Sequence, residues 1–158
     1  MKEQPLSAEQ AVALLRENAA QLASLTAGVP PERLHAAPPG EWSANDILAH
    51  MRACCDTWGG NIARILADEH ASFAGMNPRA WMKKTDYPTW QFADAHAAFA
   101  QQREALLETL AALPPAHWER TATVRAYGQF NERSLRSYAS QLATHERVHI
   151  AQLRRALG

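Results

Sequence analysis

Two histidines one helical turn apart, His145 and His149, are the residues of this sequence best suited to chemistry. A helix turns ~100° per residue, so positions four apart lie within ~40° of each other and ~6 Å along the axis. The same face carries apolar residues at spacings of three and four, namely Leu135, Tyr138, Leu142 and Leu153. The imidazoles therefore occupy core positions. Buried imidazoles need partners, and a divalent metal ion supplies one for each.

A third histidine, His50, is predicted to face inward from another helix. That helix begins with Ser43 as its cap and Asp46 three residues later, where a carboxylate suits a helix N-terminus. Its core stripe follows at helical spacing: Ile47, His50 or Met51, Cys54, Trp58, Ile62 and Ile65. Three imidazoles on facing helices would leave coordination positions open for water or substrate, as a catalytic site requires. The alternative is a bundle interior with hydrogen-bonded histidines and no metal.

Two neighbours of His50 have more than one interpretation. Cys54 shares its face and could be a soft metal ligand, but small buried cysteines more often fill a core. Asp46, one turn earlier, could orient an imidazole, although its capping role already explains it.

The string His145-Glu146-Arg147-Val148-His149 also matches the HExxH pattern of zinc metalloproteases, in which the glutamate is the general base. That class needs a third ligand further downstream, and only nine residues follow His149. Glu146 also points ~100° away from His145 around the helix. A peptidase is therefore disfavoured.

Composition excludes charge-driven partners. Sixteen acidic and sixteen basic residues balance, so no global field favours nucleic acid or an anionic membrane. The two cysteines, Cys54 and Cys55, are adjacent and poorly placed to bridge, which indicates a reducing compartment. No apolar signal core and no run of about 18 apolar residues occurs. We expect a single domain of 158 residues that is cytoplasmic, with a small-molecule substrate.

Four long helices are predicted, over residues 7–26, 43–68, 89–113 and 131–156. Ser7 and Gln10 form a capping box for the first, and Asn131 is predicted to cap the last. Arg103 falls on the inward stripe of the third helix. We expect its stem on the core and its guanidinium outside, although an inward arginine could hold an anionic ligand group. The prediction is an all-α four-helix bundle with long connecting loops.

The connections carry weaker signals. Residues 32–41 are rich in proline and are predicted to be turns without a helix, with His35 solvated. Residues 71–88 are predicted to be an ordered loop, either a lid or a patch on the flank, with Trp81 and Tyr87 partly buried. Residues 121–128 alternate enough for a short extended piece or hairpin.

The segment Trp42-Ser43-Ala44-Asn45-Asp46-Ile47-Leu48-Ala49-His50-Met51, with His145-Glu146-Arg147-Val148-His149-Ile150-Ala151-Gln152-Leu153, resembles the DinB-like family of DinB/YfiT metalloenzymes. The resemblance covers essentially the whole chain. It implies an up-down-down-up bundle, often dimeric, with a divalent metal, commonly nickel or zinc, on His50, His145 and His149. No motif in residues 71–130 matches, so the substrate pocket is not inherited.

The resemblance also implies reactions. Some relatives are thiol-dependent S-transferases or isomerases that use a low-molecular-weight thiol, which the metal would hold as a nucleophilic thiolate. Thiol transfer is therefore the first expected reaction and metal-assisted hydrolysis the second. The alternative is a non-catalytic, stress-related bundle that binds metal or a ligand. Arg103 and Trp81 are speculative substrate contacts.

Overall fold

The structure is a computed structural model and describes residues 4–158. Its helices in chain order are α1 (Ala8–Thr26), α2 (Pro31–Leu34), α3 (Ala44–Cys54), α4 (Gly60–Ala67), α5 (Pro78–Lys84), α6 (Phe92–Ala111) and α7 (Leu135–Leu157). The π-helical turn Cys55–Gly59 joins α3 to α4 into one long helix. Short 3₁₀ turns lie at Tyr87–Thr89 and Pro115–Glu119, and the strands are β1 (Ser72–Ala74), β2 (Thr121–Ala126) and β3 (Gln129–Ser134).

Four long helices, α1, α3 with α4, α6 and α7, form the bundle, and contacts between their ends fix their directions. The backbone N–H of Leu6 donates to Ser140 Oγ, and Arg154 donates to Gln21 at the other end, so α1 and α7 are parallel. Asn45 donates to the carbonyl of Trp90, so α3 and α6 start together. Trp42, before α3, packs on His149, and Trp58, after α3, packs on the earlier His145, so α3 with α4 runs antiparallel to α7. The predicted four-helix bundle, with up-down-down-up directions, is confirmed.

Local capping explains where two bundle helices begin. Ser7 Oγ accepts from the backbone of Gln10 while the Gln10 side chain accepts from the backbone of Ser7. Ser43 and Asp46 make the same reciprocal pair at 3.1 and 3.0 Å. Each pair satisfies orphan N–H groups of a first turn. Both predicted caps are confirmed, with Ser43 as the N-cap of α3 and Asp46 as its capping-box partner.

The connections between the bundle helices supply a three-stranded sheet in the order β1-β2-β3. Ser72 pairs with Thr123 in parallel, and Thr121 pairs with Ser134 in antiparallel register. Tyr127 and Gly128 have φ values of 51° and 73°, which give the two-residue hairpin turn its twist. The predicted hairpin is therefore confirmed.

Three predictions about the connections are wrong. Asn131 does not cap the last helix, because residues 129–134 pair as β3 and Ser134 accepts from the backbone of Ser137 instead. Residues 32–34 belong to α2, whose first residue, Pro31, suits a helix start. Residues 71–88 contain β1 and α5, the latter capped by Asn77.

Candidate metal centre

The three predicted histidines meet at one point between α3 and α7. The Nε2 atom of His145 lies 3.0 Å from the Nε2 atoms of both His50 and His149. All three ligand atoms lie within 4.8 Å of one another. His50 and His149 are 2% and 7% exposed, whereas His145 is only partly buried. The site is therefore buried at His50 and His149 and reaches solvent at His145.

A second contact selects the protonation state of His149. Its Nδ1 lies 2.9 Å from Gln152 Oε1, and an amide oxygen can only accept, so Nδ1 carries the proton and Nε2 presents a lone pair. Gln152 is one turn further along α7, where a side chain can reach back to His149. This orienting contact was not predicted, although the spacing of three residues is a visible signal.

Protons alone do not satisfy this cluster. His149 Nε2 carries a lone pair and contacts His145 Nε2. If His145 Nε2 carries a proton, that one proton must be shared between His149 and His50. If it does not, the contact between His145 and His149 joins two lone pairs. A cation at the centre accepts all three lone pairs. Imidazole nitrogens ~2.0–2.1 Å from a tetrahedral ion would be roughly 3.3 Å apart, close to the observed 3.0 Å. The residues fit a divalent metal better than they fit a hydrogen-bonded core.

The electrostatics keep the imidazoles neutral, as metal ligation requires. Burial is the main cause that lowers the pKa of His50 to about 4, and the charges of His149, His145 and Arg79 add to it. Burial, then His149 and Arg79, lowers the pKa of His145 to about 4. The pKa of His149 is also lowered by burial, which the bond to Gln152 partly opposes.

Cys54 fills the core beside the histidines. Its Sγ atom is 3.6 Å from His50 Nε2, but it does not join the group of mutually close ligand atoms within residues 4–158. Burial strongly raises the pKa of this thiol. Cys54 is fully buried, as expected of a small side chain that fills the core.

Glu146 points away from the histidines into the centre of the bundle, where it is fully buried. Both of its oxygens pair with the guanidinium of Arg103, one at 2.9 Å, and Asn18 donates to Oε1 at 3.2 Å. Arg103 also donates to the carbonyl of Leu15 and to Cys55 Sγ. Burial raises the pKa of the Cys55 thiol to about 12.

This network corrects the expectation for Arg103, whose guanidinium is buried and not outside. It turns inward because Glu146 offers it a paired carboxylate in the core. The network also holds Glu146, the glutamate of the HExxH string, in the core. A general base would have to lie on the side of the metal. Arg103 is therefore occupied by Glu146 and does not contact the histidine cluster.

Tryptophans form two walls of the centre. The ring of Trp42 lies 5.1 Å from that of His50 and stacks at 6.2 Å on that of His149. The ring of Trp58 meets that of His145 edge-on at 5.1 Å. Trp58 lies in the π-helical turn, a local widening that often accompanies functional sites. The wall function of Trp42 was not predicted, because its contacts depend on how the chain enters α3.

The carboxylate of Asp56, in the π-helical turn, binds the segment that contains α5 and the turn after it. Asp56 accepts from Trp81 Nε1 at 3.0 Å, from the Tyr87 hydroxyl at 2.6 Å and from Gln102 Nε2 at 2.6 Å. Trp81 and Tyr87 are partly buried, as predicted. The indole N–H of Trp81 is occupied by Asp56, so Trp81 acts here as an anchor.

The fold and the cluster together define a four-helix-bundle protein with a three-histidine candidate metal centre. The family model described as DinB superfamily matches residues 7–153, and the chain belongs to this family. The resemblance stated from the sequence is thus confirmed. No match is found among functionally curated proteins.

A solved structure with the same fold is among those that match this chain. It is YfiT from Bacillus subtilis, which is described as a probable metal-dependent hydrolase with an unusual four-helix bundle topology. The two chains are 15% identical, with a TM-score of 0.75 over 99% of this chain and 90% of that one. No helix within residues 4–158 combines the length and apolarity that a membrane crossing requires.

Proposed function

We propose that the protein is a divalent-metal-dependent enzyme whose metal is held by His50, His145 and His149, with hydrolysis of a small molecule as its reaction. The observation that carries this proposal is the convergence of three Nε2 atoms within 4.8 Å of one another, with partly exposed His145 on the solvent side. Three imidazoles with an open side are typical of catalytic metal sites, whereas structural sites are closed. Imidazole nitrogens suit zinc and nickel.

A divalent ion in this position supplies Lewis acidity, which makes water or a thiol nucleophilic at neutral pH. The chain's own residues bind and orient it. The three Nε2 lone pairs would hold the ion, Gln152 fixes the ring of His149, and Trp42 and Trp58 would exclude water from two sides. Because Glu146 is paired with Arg103 in the core, it does not act as the base.

Hydrolysis takes precedence over the thiol transfer expected from the sequence because YfiT, which shares the fold, is described as a probable metal-dependent hydrolase. Thiol-dependent S-transfer is the second candidate. A cavity of about 510 Å³ lies beside the centre, and this is within the usual range for small-molecule sites of roughly 300–1,000 Å³. A low-molecular-weight thiol would have room there.

The deciding experiment compares metal-free protein with protein reconstituted with zinc or nickel. Each preparation is assayed with a panel of small esters and amides, and with electrophiles in the presence of bacillithiol, mycothiol or glutathione. We expect turnover that requires metal and is lost in His145→Ala, while the exposed-loop control His70→Ala keeps it. Turnover that persists in His145→Ala would refute the proposed site.

Absence of metal-dependent turnover over the whole panel, in protein that binds metal, would favour the non-catalytic alternative of a stress-related binding bundle. A homodimer and a cytoplasmic location remain predictions. Size-exclusion chromatography with light scattering on the metal-loaded protein measures the first of these.

A further inference from the structure

An open cavity beside the histidine cluster shares walls with it. The ring of Trp42 lines this cavity and packs on His149, and Gln152 lines it while holding Nδ1 of His149. The cavity therefore adjoins the metal centre, with Trp42 and Gln152 between it and the ring of His149.

Two arginines line this cavity from different elements. Arg79 comes from α5 and lies 4.9 Å over the ring of Trp42, and Arg155 comes from the last turns of α7. Both side chains are exposed. Among the described residues neither guanidinium has a carboxylate oxygen within 4 Å. Glu41 is the acidic residue of the lining, so the ionised groups sum to one positive charge.

Arg79 also lies close to the histidines. Its guanidinium carbon is 4.9 Å from the centre of the Trp42 ring, and that ring is 5.1 Å from the ring of His50 and 6.2 Å from that of His149. One side chain therefore stands between this positive charge and two of the histidines. A cation at this distance attracts the anionic end of a molecule bound at the centre.

We propose that this cavity, which we call the Arg79–Arg155 pocket, binds a carboxylate of the substrate while the histidine centre acts on another bond of the same molecule. This inference rests on the proposed function and names its substrate class, a small carboxylic acid. A monoanion balances the single excess charge of the lining, whereas a phosphate dianion would exceed it. Guanidinium groups bind carboxylates with paired hydrogen bonds.

The test uses metal-chelating probes that differ only in charge at the far end. The monohydroxamates of succinic, glutaric and adipic acid carry a free carboxylate, and their primary amides are neutral analogues of the same shape. Binding to metal-loaded protein is measured by isothermal titration calorimetry. We expect the acid of at least one chain length to bind about tenfold more tightly than its amide.

That preference should disappear in Arg79→Gln and in Arg155→Gln. Arg154→Gln is the matched control, because Arg154 is the adjacent arginine of α7, does not line the pocket and bonds to Gln21. It should keep the preference. Equal binding of acid and amide to the wild type would overturn the pocket and leave the metal centre standing.

If neither probe binds to the wild type, the metal offers no open position to a ligand and the proposed catalytic function fails, and a second titration decides the pocket alone. Glutarate and inorganic phosphate are added to metal-free, ¹⁵N-labelled protein, and the indole N–H signal of Trp42 is followed after assignment with Trp42→Phe. A saturable shift with glutarate that Arg79→Gln weakens supports the pocket. No shift overturns it, and tighter binding of phosphate overturns the carboxylate assignment.

Discussion

Replacing Glu146 with Gln should unfold the protein more easily without removing its metal. Glu146 is fully buried and Arg103 is 2% exposed, and the carboxylate accepts from Arg103 and Asn18. The amide removes the negative charge and leaves the guanidinium buried and unpaired. Loss of one partner of a buried ion pair costs ~3–5 kcal/mol. Since a small domain has ~5–15 kcal/mol of net stability, this is a large fraction of it.

The assay is urea unfolding of metal-free protein followed by circular dichroism, with metal content measured on separate samples. Glu119→Gln is the matched control, because it removes the charge of an exposed carboxylate that lies 2.8 Å from Arg136. Exposed pairs contribute ~0–1 kcal/mol, so this variant should unfold almost like the wild type.

Wild-type stability combined with lost turnover in Glu146→Gln would refute the structural role of Glu146. If Glu146→Gln unfolds at the wild-type urea concentration but loses metal-dependent turnover, then Glu146 acts at the metal centre as the glutamate of HExxH does in metalloproteases. If instead stability falls and metal content stays near that of the wild type, Glu146 belongs to the core network.

Three further predictions follow from other contacts. Ser43→Ala removes the cap of α3 and should lower the free energy of unfolding by ~1 kcal/mol in urea, and a change below the error of the fit would show that the cap is dispensable. Asp56→Asn replaces one acceptor oxygen with an amide group, so hydrogen exchange in α5, which carries Trp81, should become faster while α1 is unaffected; unchanged exchange in α5 would contradict the anchoring role. In metal-free protein, burial above all holds the pKa values of His50 and His145 at about 4, below the ordinary value of 6.5. At pH values between 4 and 6.5, the unfolded chain therefore binds protons that the folded chain does not bind. The free energy of unfolding should fall as the pH drops from 6.5 toward 4. Urea titrations from pH 7 to pH 4 measure this slope, which should flatten in a variant with both histidines replaced by Gln.

Local signals in the sequence predicted much of this fold. Capping at Ser7 and Ser43 is set by residues three apart, and the apolar stripes of the bundle helices have helical spacing. The placement of His50, His145 and His149 on core faces also followed from spacing, because each histidine replaces an aliphatic residue in a stripe. Their meeting required only that the two helices face each other.

The errors arose where tertiary contacts decide between local alternatives. Asn131 and Ser134 are both good caps, and strand pairing of residues 129–134 with β2 selected the second. Asn77 and Pro78 carry a valid helix-start signal for α5, but aromatic residues without periodicity masked so short a helix.

The buried ion pair was missed because its partners come from separate helices. Arg103 was recognised on an inward stripe, and Glu146 was recognised as turned away from His145, yet neither pattern shows that α6 and α7 bring them together. A charged residue on a core stripe is nevertheless a signal that a partner of opposite charge must be found. Arg79 gave no comparable signal, since nothing in the sequence places α5 beside Trp42.

The most direct test of the account is the metal content of protein purified without a histidine tag or chelator, measured by inductively coupled plasma mass spectrometry. Wild type is compared with His50→Ala, His149→Ala and the exposed-histidine control His70→Ala. We predict close to one equivalent of a divalent metal in wild type and control, and its loss in both cluster variants. A wild type without metal after incubation with zinc and nickel, or cluster variants that keep it, would contradict the three-histidine centre.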